Sequence, residues 1–140
     1  MAIAGGCLCG AVRYAVEAEA PLGVRQCWCR VCQYLGAGSG TVNAIFARYA
    51  VTVSGPLTDY VSVADSGSIM HRRFCAKCGA PVFSESESRP DLIIVRVGTL
   101  DDPNLAKPGA IIWTKSAPVW ACFDPSLPHT DGQPAPPGKT

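Results

Sequence analysis

The stretch Phe74-Cys75-Ala76-Lys77-Cys78-Gly79 carries the strongest structural signal in the sequence. Its Cys-x-x-Cys-Gly pattern is typical of a tight turn that directs two thiolates and the nearby backbone N–H groups toward one point. Two ligands cannot complete a tetrahedral structural zinc site, so the other half must come from elsewhere in the chain. The pattern therefore predicts a fold in which a distant segment is held against this turn by a metal.

The pair Cys7 and Cys9 is the natural candidate for the missing half of the site. In an extended strand, residues two apart face the same side, so both thiols can reach one metal if the backbone bends at Gly10. A disulfide within Cys-x-Cys would close a small, strained ring, which favours metal binding over oxidation. We therefore expect a structural zinc at this place.

A second cluster consists of Cys27, Cys29 and Cys32, and no obvious fourth ligand follows it in the sequence. Three protein ligands with one open position are the pattern of a catalytic zinc. The open position can take water or a substrate thiol, because a coordinating cation makes the thiol easier to deprotonate. This cluster predicts a metal site that does chemistry.

A closed second site is the first alternative. Cys122, His71 or His129 could supply the fourth ligand, and the metal would then only brace the fold. Cys122 lies in the apolar stretch Val-Trp-Ala-Cys-Phe, where a lone cysteine is more often a buried small hydrophobe than a ligand, so we expect it to be buried. His71 is interpreted as an ordinary strand residue, although its ordinary pKa near 6.5 would also suit a general base.

Two other interpretations of the cysteines stay open. The second cluster could be an unmetallated redox centre, but a thioredoxin-type pair needs a βαβ setting that the sequence does not show. The spacing also permits one four-cysteine site made of Cys29, Cys32, Cys75 and Cys78.

Length and composition indicate one small, β-rich domain. A chain of 140 residues can bury a conventional core, and its 14 glycines and 12 prolines favour short strands joined by turns. The net charge is +1 and the basic residues are scattered, so we expect no nucleic-acid partner. There is no apolar stretch long enough for a membrane span and no signal-peptide pattern, so we expect a cytoplasmic protein without a membrane partner.

The residue pattern predicts nine strands and little helix. The predicted strands are Gly10–Val16, Val24–Trp28, Thr41–Phe46, Ala50–Ser54, Tyr60–Val63, Ile69–Phe74, Pro81–Phe83, Leu92–Val97 and Ala110–Thr114. A short helix is predicted over Arg30–Leu35, while strand and helix signals conflict over Ala44–Tyr49. We expect one domain over residues 1–124, with Trp113 and Trp120 in its core, and a surface tail over residues 125–140.

Four motifs together resemble a known family. These are Gly6–Tyr14, Cys27–Cys32, Arg73–Phe83 and Val97–Pro103, and they occur in the order seen in glutathione-dependent formaldehyde-activating enzymes and the related centromere protein V. The resemblance spans most of the chain, from Gly6 to about Trp120. It implies a mainly β, β-tent zinc-binding fold of packed antiparallel sheets with two zinc ions per chain. It assigns the structural zinc to Cys7, Cys9, Cys75 and Cys78, and the catalytic zinc to Cys27, Cys29 and Cys32.

The same resemblance implies a carbon–sulfur lyase that adds the thiol of glutathione, or of a similar small thiol, to formaldehyde or another small aldehyde, or catalyses the reverse. Glutathione carries two carboxylates, for which Arg30 and Arg72 or Arg73 are candidate partners. Trp28 stands where the family often has His, and its ring could form a pocket wall. The alternative is a non-catalytic zinc-braced β module that binds another protein.

Overall fold

A computed structural model of the chain describes residues 2–135 and has a mainly β architecture, as expected. Within these residues the strands are β1 (Ala2–Gly6), β2 (Arg13–Glu17), β3 (Gly23–Cys27), β4 (Thr41–Ala47), β5 (Val51–Ser54), β6 (Leu57–Val63), β7 (Ile69–Cys75), β8 (Pro81–Ser86), β9 (Leu92–Arg96), β10 (Ala110–Ile112) and β11 (His129–Thr130).

The helices are short. The helix α1 (Arg30–Leu35) has the predicted bounds, and four single 3-10 turns cover Arg48–Ala50, Val97–Thr99, Pro103–Leu105 and Thr114–Ser116. Over Ala44–Tyr49 the strand signal prevails, because β4 continues to Ala47 before the first of these turns begins. Among the described residues, no helix combines the length and the apolarity that crossing a bilayer requires.

The strands form two sheets. A small antiparallel sheet has the order β1-β2-β5, and a large sheet has the order β11-β10-β3-β4-β9-β8-β7-β6. The large sheet is antiparallel from β3 to β6, whereas β10 lies parallel to both β3 and β11. The cysteine-bearing ends of β3 and β7 therefore belong to one sheet, and the end of β1 belongs to the other.

The core lies between the two sheets. In β2 every second residue is buried, which directs Tyr14 and Val16 inward, as expected for a strand with one covered face. The ring of Tyr14 meets Phe83 of β8 edge to face, with 5.1 Å between the centroids, and its hydroxyl lies 2.8 Å from the Thr99 hydroxyl. The small sheet is thus packed onto the β8 side of the large one.

Two strands, β1 and β11, were not predicted from the sequence. The β1 sequence Ala-Ile-Ala-Gly-Gly is poor in β-branched residues, so its strand signal is weak. A Cβ at position 5 would clash with the Tyr14 hydroxyl and the Thr99 carbonyl. Close packing therefore requires glycine here, although glycine lowers the strand propensity of the segment. The two-residue strand β11 pairs with β10 within the predicted surface tail, where the side chains are exposed or half-buried. Residues 136–140 of that tail lie outside the described part.

The predicted burial of Cys122 and Trp120 is wrong. Cys122 is exposed, and Trp120 keeps 67% of its surface accessible. Their apolar stretch is a surface loop and not a strand. The rings of Trp120 and Phe123 in this loop contact the buried ring of Trp28 edge to face. The other tryptophan that we expected in the core, Trp113, is half-buried.

Candidate metal centres

The first group of thiols joins the two sheets. It consists of Cys7 and Cys9 in the turn after β1, and Cys75 and Cys78 at the end of β7, and its four sulfurs lie within 4.8 Å of one another. Adjacent sulfurs are 3.6 Å apart between Cys7 and Cys9, and 3.8 Å apart between Cys9 and Cys75. We call it the four-cysteine centre.

Two turns with a glycine in the left-handed region shape the four-cysteine centre. Gly10 has φ +82° and its N–H donates to Cys7 O, while Gly79 has φ +78° and its N–H donates to Cys75 O. The expectation of an extended Cys7–Cys9 segment is wrong, because β1 ends at Gly6 and a turn follows. The turn brings the two thiols together, which is the effect that we expected from a bend at Gly10.

Backbone amides stabilise thiolate charge in this centre. The N–H of Val12 donates to the sulfur of Cys7 at 3.2 Å, and the N–H groups of Lys77 and Cys78 donate to that of Cys75 at 3.3 and 3.4 Å. Burial raises the pKa of Cys7, but the Val12 amide and the neighbouring sulfurs outweigh it and lower the pKa to about 6. An all-sulfur set with amide support suits zinc, which thiolates bind well.

The second group, Cys27, Cys29 and Cys32, comes from one short segment, and we call it the three-cysteine centre. Its sulfurs also lie within 4.8 Å of one another. Cys27 ends β3, Cys29 is the N-cap of α1, and its sulfur accepts the N–H of Cys32 at 3.3 Å. Cys27 and Cys32 are buried, whereas Cys29 is half-buried, so access to the centre is from the Cys29 side.

The thiols of the three-cysteine centre differ strongly in acidity. Hydrogen bonds from Cys27 and Cys29, followed by the charge of Arg96 and a hydrogen bond from Thr41, lower the pKa of Cys32 despite its burial. The same sulfur contacts, together with burial, raise the pKa of Cys27. The surroundings therefore favour a thiolate at Cys32, and a bound cation would favour ionisation of the other two thiols.

A buried glutamine fixes the segment that carries these thiols. Gln33 donates from Nε2 to the carbonyls of Trp28 and Ser116, at 2.8 and 2.9 Å, and its Oε1 accepts a hydrogen bond from Arg30. The buried ring of Trp28 packs edge-on against Phe123. Trp28 thus packs inside the fold, and it does not line either of the two clefts beside α1.

The suggested fourth ligands do not join the three-cysteine centre within residues 2–135. The sulfur of Cys122 is exposed and lies 3.9 Å from its own loop at Trp120 O. The ring nitrogens of His71 lie 2.6 and 2.7 Å from carboxylate oxygens, and Nε2 of His129 lies 3.1 Å from Asp124 O.

The described residues also form neither the mixed four-cysteine site nor a thioredoxin-type redox pair. The pairs Cys29/Cys32 and Cys75/Cys78 fall into different groups, so the structure does not contain the mixed four-cysteine set. The helix α1 connects β3 to β4, which are antiparallel neighbours, so the βαβ setting of a thioredoxin-type pair is absent.

The candidate arginines have different surroundings. Arg30 is exposed, with its guanidinium 5.3 Å from the ring centre of Tyr34. Arg73 forms an ion pair with Glu85 and lies 3.9 Å from Asp59. A third residue, Arg96, was missed: it is only 8% exposed and its Nη1 donates to Asn43 Oδ1 at 2.6 Å. Its position inside the apolar run Leu92–Val97 was the signal that could have found it.

Two adjoining open clefts lie beside α1. They have volumes of about 260 and 290 Å³ and share Leu35, Pro81 and Arg96 in their walls. The first also contains the two candidates Arg72 and Arg73, and the second contains Thr41, whose hydroxyl contacts Cys32. Each cleft alone lies just below the roughly 300 Å³ at which small-molecule sites begin.

A family model and a curated relative name the same family, and a solved structure has a similar fold. The model of the family "Glutathione-dependent formaldehyde-activating enzyme" matches residues 2–116. A protein of Halomonas elongata, provisionally named as such an enzyme, is 26% identical over 133 residues, which cover 86% of this chain and 80% of the relative. The crystal structure of a Rhodobacter sphaeroides protein is similar with a TM-score of 0.60 at 26% identity, over 76% of this chain and 97% of that one.

Proposed function

The chain belongs to the family of glutathione-dependent formaldehyde-activating enzymes, and from this premise we propose that it adds a small thiol to a small aldehyde, in the first instance glutathione to formaldehyde. Read in reverse, the reaction is that of a carbon–sulfur lyase. The observation that carries the proposal is the three-cysteine centre, which offers three thiols and a half-buried approach beside two clefts. We place the reaction in the cytoplasm, where a reducing pool keeps the eight cysteines as free thiols.

Both centres suit zinc, and we propose one ion in each. In the four-cysteine centre, Cys7, Cys9, Cys75 and Cys78 would complete a closed structural site. In the three-cysteine centre, Cys27, Cys29 and Cys32 leave one position for an exogenous ligand. Zinc held there supplies a positive charge that keeps a substrate thiol ionised near neutral pH.

The chemical step needs no oxidant or reductant. The sulfur electron pair of the thiol forms a bond to the carbonyl carbon, the C=O π pair moves to oxygen, and that oxygen takes up the proton released by the thiol. The thiol and aldehyde become one hydroxymethyl thioether, so atoms and charge balance. The protein has to bind the sulfur, hold its anionic form and orient the aldehyde carbon toward it.

The chain's own residues supply the positioning. The N-cap bond from the Cys32 amide to Cys29 fixes the spacing of two thiols, and Gln33 holds their segment to the rest of the fold. Arg96 places a buried positive charge near the sulfurs, which offsets part of the negative charge that three cysteinates concentrate there. Removing any one thiol would disturb this arrangement without removing the clefts.

Exchange between free glutathione and its formaldehyde adduct, followed by NMR on zinc-loaded protein, tests the proposal. The best variant is Cys29→Ser, because serine is a good N-cap and keeps α1 capped while the thiol is lost. We expect the wild type to accelerate the exchange above its spontaneous rate, and Cys29→Ser to lower the acceleration by about 100-fold or more. The matched control is Cys122→Ser, which removes an exposed thiol outside both centres and should leave the rate unchanged.

A wild type that carries two metals and leaves the exchange rate at its spontaneous value would overturn the enzymatic proposal. The non-catalytic zinc-braced module would then be the better description of the protein. Equal acceleration by the wild type and Cys29→Ser would show that the three-cysteine centre is not the site of the reaction.

A further inference from the structure

Strand register places Arg96 on the same face of the large sheet as the three-cysteine centre. Cys27 of β3 lies opposite Thr41 of β4, and Asn43, two residues further along β4, lies opposite Arg96 of β9. Residues that are opposite in an antiparallel pair, and residues two apart in one strand, project to the same face. The hydrogen bond from Arg96 to Asn43 agrees with this register. The guanidinium and the thiols therefore share one side of the sheet.

The register also brings Arg72 to this face. Arg72 of β7 lies opposite Ser84 of β8, and Ser84 lies opposite Ile94 of β9, which is two residues from Arg96. Arg72 and Arg96 both line the cleft of about 260 Å³ beside α1. The guanidinium groups of Arg72 and Arg96 thus share one face and one concave surface beside α1, and Arg96 is the one whose charge acts on the thiols.

Neither of these cations has a carboxylate partner within residues 2–135. Arg72 donates to the Ser62 hydroxyl at 2.6 Å, and Arg96 donates to the Asn43 amide oxygen while its Nε is buried without a partner. Arg73 also contributes to the wall of this cleft, but by strand register its side chain projects to the other face, where it is paired with Glu85. Two neighbouring cations repel each other, and a buried unpaired N–H lowers stability. The cysteinates offset part of the charge of Arg96, but neither guanidinium has a carboxylate partner in the described part of the chain, so the pair favours a bound anion.

Resting on the thiol site of the proposed function, we propose that Arg72 and Arg96 bind a carboxylate of the thiol substrate, so that the protein selects small thiols that carry a carboxylate over neutral ones. The planar guanidinium suits a carboxylate because its N–H groups match the two oxygens. The adjoining cleft shares Arg96 and contains Thr41, whose hydroxyl contacts Cys32 of the three-cysteine centre. Arg96 is then a specificity residue in addition to being a counter-charge for the cysteinates.

Thiol binding to protein with cobalt in the three-cysteine centre and zinc in the four-cysteine centre provides the test. The dissociation constants of thioglycolate, 3-mercaptopropionate and glutathione are measured through sulfur-to-cobalt absorption and divided by that of 2-mercaptoethanol. The variants are Arg96→Met and Arg72→Met, with Arg96→Lys as the charge-conserving rescue. Arg89→Met is the matched control, because Arg89 pairs with Asp91 and lines neither cleft.

We expect at least one carboxylate thiol to lose about tenfold in relative affinity in Arg96→Met and in Arg72→Met, with partial recovery in Arg96→Lys and no change in Arg89→Met. Equal weakening of all thiols, including 2-mercaptoethanol, would overturn the proposal and leave Arg96 as a counter-charge only. A wild type that binds 2-mercaptoethanol as tightly as every carboxylate thiol would also overturn it, while the thiol site would stand. Failure of every thiol to bind would instead refute the proposed function.

A folding control keeps the test decisive. Arg96 is buried, so its replacement is checked by cobalt content and near-ultraviolet circular dichroism before binding is measured. Arg72 is half-buried, and its side chain donates a hydrogen bond to the Ser62 hydroxyl. Its replacement therefore disturbs the core little, and we expect Arg72→Met to fold. Unchanged selectivity in folded Arg72→Met would overturn the proposal even if Arg96→Met did not fold.

Discussion

The two cysteine centres differ in how the chain builds them. The four-cysteine centre joins residues that are 66 positions apart, as Cys9 and Cys75 are, and connects the small sheet to the large one. The three-cysteine centre is contained in the segment Cys27–Cys32, where a strand end leads directly into α1. One centre therefore constrains the tertiary structure, and the other constrains only a loop.

This difference separates stability from chemistry. A link between distant segments removes much of the freedom of the unfolded chain, so a metal bound in the four-cysteine centre would contribute directly to folding. A link within six residues closes only a short loop and restrains the unfolded chain less. A centre that the fold does not depend on can keep an exchangeable ligand position, and this is where a substrate can enter.

The largest expected effect is the loss of stability in Cys75→Ser. Cys75 is completely buried among core residues, and its sulfur accepts two backbone amides, so the variant loses a metal ligand and leaves polar groups unpaired. We expect the zinc-loaded variant to lose at least about 3 kcal/mol of unfolding free energy, as measured by urea denaturation. Cys29→Ser should lose much less.

Cys122→Ser is the matched control for this experiment, since its thiol is exposed and outside both centres, and its stability should change by no more than about 0.5 kcal/mol. Equal destabilisation by Cys75→Ser and Cys29→Ser would break the distinction between a fold-bracing centre and a local one.

Stepwise chelation should separate the centres without any mutation. The three-cysteine centre offers only three thiols, one of them half-buried, so a chelator should remove a metal bound there first. We expect the thiol-dependent absorption of cobalt-loaded protein to vanish after one metal is lost, while far-ultraviolet circular dichroism is retained. Loss of the second metal should unfold the chain. Simultaneous loss of both metals and of the fold would contradict the comparison.

Much of the fold could be predicted from residue patterns, because turns and alternation are local signals. The helix Arg30–Leu35 and the mainly β class follow from them, and both are found. The strand β1 could not be found in this way, because Gly5 is required by a close approach to Tyr14 that only the tertiary structure creates. Trp120 and Cys122 were misjudged because an apolar composition does not reveal whether a segment is a strand or a surface loop.

The candidate site was predictable to a different degree. Cysteine spacing made residues 7–9 the natural partner of residues 75–78 but also permitted a mixed set, which only the resemblance argued against. The four thiols do lie together, and their role as ligands stays a prediction. Arg96 was missed because its significance arises from strand register, which brings it to the face of Cys27 and Arg72. A charged residue inside an apolar strand would have been the sign to follow.

A smaller effect is expected from Gln33→Met, which sharpens the comparison by loosening only the local centre. The variant keeps the side-chain volume but removes the amide that holds the carbonyls of Trp28 and Ser116. We expect a loss of about 1–3 kcal/mol in unfolding free energy and roughly tenfold weaker cobalt binding at the three-cysteine centre. Cobalt affinity at the four-cysteine centre should be unchanged, and weakening of both centres would mean that they are coupled.

The smallest expected effect is a pH-dependent one near the other centre, on the strand that ends at Cys75. Hydrogen bonds to Glu87 and Asp59 raise the pKa of His71 above its ordinary value of 6.5. Because the folded pKa is the higher one, the contribution to stability is complete below about pH 6.5 and is lost as the pH rises through the folded value. The difference in urea midpoint between zinc-loaded wild type and His71→Gln should therefore be largest near pH 6 and disappear at high pH, and it should shrink in salt because the groups are accessible. Thiol affinity should be the same in both proteins at every pH. A stability difference that grows with pH would show that the neutral imidazole is the stabilising form, and a change in thiol affinity would show that the β7 end of the sheet and the three-cysteine centre are not independent.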